Sequence, residues 1–63
     1  MTAIYDPIRG YFKGYEFRNN QMTPQWGTQE YNFTLAIFVD AQEALDEAKK
    51  HNAIAYSINQ LPV

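Results

Sequence analysis

Three stretches of this chain carry a regular spacing of apolar and polar residues, and together they predict its architecture. Tyr11–Arg18 alternates, with Tyr11, Lys13, Tyr15 and Phe17 on one side and Phe12, Gly14, Glu16 and Arg18 on the other. Aromatic residues suit a pleated surface, so this reads as a strand whose three-ring side faces inward. Lys13 then reaches out at an edge, and Gly14 marks a bulge or a close backbone approach. Tyr31–Val39 alternates more cleanly, with Tyr31, Phe33, Leu35, Ile37 and Val39 predicted on the core side. Asn32, Thr34, Ala36 and Phe38 face the other way. Ala53–Asn59 repeats the pattern, with Ile54, Tyr56 and Ile58 predicted inward and Ala55, Ser57 and Asn59 outward; Pro62 stops it.

Between the last two strands the period changes to that of a helix, Ala41–His51. Asp40 stands at the N-cap with Glu43 three residues on, a D-x-x-E form of the capping box. Ala41, Ala44, Leu45 and Ala48 form one stripe. Its alanines allow a close approach to a sheet. Asp46 and Lys50 are spaced as an i,i+4 pair, as are Glu47 and His51. Lys49, Lys50 and His51 suit the negative end of the helix dipole.

The remaining segments are less patterned. Residues 1–10 contain Asp6-Pro7 and Gly10 as punctuation, with Ile4 and Tyr5 available to the core or to a short edge strand. Asn19–Thr28, with Asn-Asn, Thr-Pro and Trp-Gly, reads as a long hairpin loop. Within it Trp26 either folds back over one end of the core or stands out as a binding anchor. The expected fold is therefore α+β, in the order β-β-α-β: a three-stranded, mainly antiparallel sheet with one helix packed on one face. The opposite face is expected to be small and polar apart from Phe12 and Phe38.

Composition narrows the function more than it identifies it. Sixty-three residues allow one small domain, 1–63, and a chain this short buries only about 60% of its unfolded surface. With no cysteine there is neither a disulfide nor a thiolate metal site, a composition that fits a reducing cytoplasm. The 16% of aromatic residues offset the small size in part. No stretch approaches the ~20 apolar residues of a membrane span, and the first residues lack the pattern of a signal peptide. A net charge of −2 argues against nonspecific nucleic-acid binding. Five acids and no base lie from Glu30 to Glu47, and four of them, Asp40, Glu43, Asp46 and Glu47, gather at the helix as a modest acidic patch.

Candidate chemistry is sparse. There is one histidine, and no spacing matches a zinc, calcium or phosphate site, so no cofactor, metal or catalytic residue is expected. His51 is expected to be a solvated residue at the helix end. Lys13-Gly14-Tyr15-Glu16-Phe17 echoes the start of the aromatic motif by which RNA-recognition modules stack bases, with Glu in place of Gly or Ala and the rest missing. Asn32-Phe33-Thr34 is formally a glycosylation sequon.

Ile37-Phe38-Val39-Asp40-Ala41-Gln42-Glu43-Ala44-Leu45-Asp46-Glu47-Ala48 is a strand breaking into an Asp-capped Glu-Ala-Leu-x-x-Ala helix, followed by a strand ending near Pro62. Over Thr34–Pro62 this resembles small phage-encoded host-takeover proteins, in particular the podophage inhibitors of bacterial RNA polymerase. The resemblance implies a compact viral protein that docks on a host enzyme. That family relies on arginines in the strand after the helix, where this chain has Tyr56-Ser57-Ile58-Asn59-Gln60, so the polymerase target is not carried over.

The expected function is thus a non-catalytic protein-binding module, a phage-encoded inhibitor or modulator of a host enzyme such as RNA polymerase or a defence nuclease, acting in the host cytoplasm. The alternative is a small accessory subunit or homodimer that completes an assembly through its sheet edge. Single-stranded nucleic-acid binding through sheet aromatics comes third. Trp26, Phe12, Arg18 and Phe38 are the expected partner-binding residues, with Glu43, Asp46 and Glu47 as an alternative acidic surface.

Overall fold

The computed structural model describes residues 1–27 and 35–60. In chain order these form β1 (Thr2–Asp6), β2 (Gly10–Arg18), β3 (Gln21–Gly27), α1 (Ala41–Lys50) and β4 (Ile54–Ser57), followed by a short 3-10 turn at Ile58–Gln60. The fold is α+β, as expected, but the antiparallel sheet has four strands in the order β3-β2-β1-β4. The segment before Gly10 supplies a central strand rather than an edge. The predicted hairpin loop supplies a whole strand.

Local chemistry explains each junction. Asn19 and Asn20 have φ of 50° and 61° and form a two-residue loop between the paired Arg18 and Gln21. Positive φ at both positions is the type I′ turn, whose twist matches that of the flanking strands, and asparagine tolerates it. The Asp6 carboxylate closes the β1–β2 turn by accepting from the Arg9 backbone N–H and side-chain Nε, both at 2.9 Å. At the start of α1, Asp40 Oδ1 accepts from Gln42 N at 3.0 Å, which caps one orphan donor. At its end, Asn52 sits at φ 58°, Asn52 N donates to Lys49 O at 3.2 Å and Ala53 N to Ala48 O at 2.8 Å. This is a Schellman ending with asparagine in the left-handed position that glycine more often takes.

The central cluster of the core lies between α1 and the sheet. Ala3, Ile4, Tyr11, Phe12, Ala44 and Ala48 are buried, and Ile4, Phe12 and Ala48 form the central cluster. Trp26, Ala36, Phe38, Ala53 and Ala55 pack around it. Ala44 and Ala48 fulfil the expected close approach of the helix. Leu45, on the same predicted stripe, is left exposed.

The face assignments are largely inverted. Phe12, predicted to point away from the helix, is 1% exposed at the centre of the core. Within β2 the inversion holds for Tyr11 and Phe12, whereas Tyr15 and Phe17 keep their expected side because of a bulge: Phe12 pairs with Trp26 and Gly14 with Gln25, so Lys13 is an extra residue in β2. The extra residue shifts the alternation by one. Phe12, Tyr15 and Phe17 therefore share the helix side, and Tyr11 falls on the other, beside Tyr5 at 4.8 Å between ring centroids. In β4, Ala55 is the register partner of Ile4 and packs on the core, while Ile54 is half exposed and Tyr56 contacts Tyr5 on the far side. A helix that lies close needs small residues beneath it, and Ala55 supplies one. Ile58 has left the strand and donates to Met1 O at 3.0 Å.

The predicted strand Tyr31–Val39 falls in part, at 31–34, outside the described residues. Its described part is not a continuous strand. Phe38 exchanges backbone hydrogen bonds with Thr2 at 2.9 and 2.8 Å, and Ala36 N donates to Phe12 O at 3.0 Å. Residues 36–38 thus sit where β1 and β2 part. Paired with Thr2, Phe38 turns to the helix side with Ala36, and Ile37 and Val39 are exposed. The far face of the sheet therefore carries Tyr5, Tyr11, Ile54 and Tyr56, and is not the small polar surface expected.

Candidate functional site

Two features stand out beyond the core: a polar knot where the hairpin meets the end of α1, and the exposed tip of that hairpin. The bulge directs Tyr15 toward the helix, where its hydroxyl donates to Glu47 Oε2 and lies 2.8 Å from His51 Nε2. His51 Nε2 is 3.1 Å from the same Glu47 oxygen, and Lys50 Nζ donates to Glu47 Oε1 at 3.3 Å. The expected Glu47–His51 pair is present, whereas Asp46 accepts from Gln42 at 3.1 Å and leaves Lys50 to Glu47.

His51 is not the solvated residue expected. Its side chain is 12% exposed and that of Glu47 17%. The imidazole is walled by Phe12, Trp26 and Tyr15 at 5.2, 5.6 and 5.8 Å between centroids. Arg9 completes the surround: its guanidinium stacks 4.0 Å over the Trp26 ring, and Nη2 donates to the His51 carbonyl. A cation there satisfies a carbonyl at the negative end of the helix. Arg9 escaped the sequence reading because nothing in its local spacing links residue 9 to residues 26 and 51.

The electrostatics make this knot a holder of hydrogen bonds. Burial, followed by the adjacent Glu47, pushes the Tyr15 hydroxyl up to about 12. It therefore stays a neutral donor. The Tyr15 hydrogen bond is the chief influence holding the Glu47 carboxyl below its ordinary value, with His51 and Lys50 assisting against burial. Glu47 is then an ionised acceptor at neutral pH and a weak proton donor. Among the described residues, no group of three or more His, Cys, Asp or Glu side chains is placed to hold a metal ion.

The predicted partner-binding residues are not brought together on one surface. Phe12 is buried, and Phe38 and Trp26 are half-buried against the core. Trp26 thus covers the core from strand β3, beneath Arg9, and not from a loop. Arg18 is exposed at the hairpin end, with Nε 2.6 Å from Glu16 Oε1. Of the acidic set, Glu43 and Asp46 are exposed, while Glu47 belongs to the knot.

What the sequence reading missed is the tip. Phe17 and Met22 are register partners one step from the turn, and they are 65% and 60% exposed. Asn19-Asn20 between β-prone residues was the available signal, because a two-residue turn places residues 17 and 22 opposite one another. The alternation of the ladder from that turn makes Tyr15–Pro24 a pair without mutual hydrogen bonds, so the proline nitrogen faces outward. Edge strand β3 thus lacks a donor where another strand would add.

No helix among the described residues is long and apolar enough to cross a membrane. No protein family, curated protein or solved structure matches this chain.

Proposed function

We propose that this chain is a non-catalytic protein-binding module that docks through the outer end of the β2–β3 hairpin. The observation that carries this is the exposed pair Phe17 and Met22, held side by side at the end of a ribbon with Arg18 next to them. Two large apolar side chains presented together on a shaped element favour a partner with an apolar cleft. Pro24 on the outer side of β3 disfavours simple strand addition at that edge, which directs recognition to the side chains of the tip. The finer form, a phage-encoded modulator of a host enzyme, rests on the resemblance over Thr34–Pro62.

A tagged chain and its Phe17→Ser/Met22→Ser variant, both with native circular dichroism, test the reading in bacterial lysate. The expected result is a captured protein that is lost at least tenfold in the variant. Equal capture by both chains overturns the tip as the docking element. A sedimentation coefficient that rises with concentration in the parent but not in the variant assigns the tip to a homodimer instead. Retention of single-stranded RNA by the parent, with no protein captured, replaces the reading with nucleic-acid binding.

A further inference from the structure

The outer hairpin is joined to the rest of the molecule by very little backbone. β1 and β2 share only the register pairs Tyr5–Tyr11 and Asp6–Gly10, and the ladder stops just before the bulge. Among the described residues, β2 beyond Gly14 pairs with β3 alone, and no backbone hydrogen bond links residues 15–23 to another element. Gly14, at the root of this ribbon, has φ +106°, and a Cβ placed on it meets nothing within 4 Å. The backbone there has the space and the residue type to turn. The ribbon is tied back by a side chain, through the Tyr15 hydroxyl with its partners Glu47 and His51 on the last turn of α1 and its C-cap.

We propose that this contact is a catch. The part of the β2–β3 ribbon beyond Gly14 is an arm that pivots at Lys13–Gly14, and the Tyr15 hydroxyl hooked on Glu47 fixes its angle against α1. With the catch closed, Phe17 and Met22 keep a set position relative to the helix; with it open, the same apolar pair moves as a unit on the intact I′ hairpin. A two-stranded ribbon swinging on a bulge changes few backbone dihedrals, as hinges do. The inference concerns the fold and does not depend on the tip binding a partner.

The chain has no cysteine, so two nitroxide labels can be placed cleanly, at Gln21→Cys near the tip and Lys49→Cys on the helix. Pulsed dipolar spectroscopy on the labelled chain is expected to give one narrow distance distribution. Adding Tyr15→Phe, which keeps the ring and removes the hook, is expected to at least double its width. Glu47→Ala, which removes the acceptor from the other side, is expected to do the same. An unchanged distribution in either variant, with helical circular dichroism retained, overturns the catch. Loss of helical signal in both variants overturns it as well, because the contact is then part of the global fold and not of a hinge.

Discussion

The Tyr15 hydroxyl lies 2.8 Å from His51 Nε2, joining residues 36 positions apart in sequence. Tyr15 reaches the end of α1 only because Lys13 is bulged out of β2. With strict alternation from Tyr11 it would share that residue's side, away from the helix. One extra backbone residue therefore decides which rings meet the helix.

The acid branch of stability is expected to report this cluster. Glu47 is held below its ordinary 4.5, first by Tyr15, so the native state binds that proton less tightly than the unfolded chain does. Its contribution is complete above the unfolded value and is lost as pH falls through the lowered native one. Asp6, held down by Arg9, has the same sign. Urea midpoints are expected to be flat from neutral pH to about 5 and to fall below it, with a shallower fall in Glu47→Gln.

The alkaline branch carries the opposite sign. Tyr15 is raised from 10.0 to about 12, with burial the largest cause, so the unfolded chain gives up this proton first. Stability is expected to drop as pH rises from 10 to 12, and Tyr15→Phe to flatten that drop. Urea midpoints across this range check it.

The turn is expected to be sensitive to β-branching. Asn20→Val places a branched side chain at φ 61° and is expected to cost about 1–2 kcal/mol, with Asn20→Gly neutral or stabilising. Chemical denaturation of the three chains decides it. The sequence is also informative here beyond the loop read from it: an Asn-Asn turn at positive φ brings with it the hairpin, the strand β3 and the pairing of Phe17 with Met22. Thr23, Pro24 and Gln25 obscured it, because a proline in a run argues against a central strand. β3 is an edge strand, where proline is tolerated.

Close packing of the helix gives a fourth expectation. Ala48→Leu adds three carbons where Ile4 and Phe12 already fill the space, at a cost of about 1–3 kcal/mol. Leu45→Ala, on the exposed part of the same stripe, is expected to be close to neutral. Thermal or urea denaturation of both variants distinguishes a helix seated by its alanines from one seated by its leucine.

The sequence by itself determined the local elements. The Asp40 cap, the helix and its alanine stripe, the strands around Tyr15 and Tyr56, and the α+β class all follow from capping chemistry and period, which act over a few residues. Only the tertiary structure decided which side of each strand is inside. Period two states that neighbours differ, not which of them is buried. The bulge at Lys13, the insertion of residues 36–38 between β1 and β2, and the small Ala55 beneath the helix each settled that choice through long-range contact. The knot of Tyr15, Glu47 and His51 has the same origin. Its i,i+4 half was legible in the helix, while its third member arrived from a strand that only the folded chain brings near.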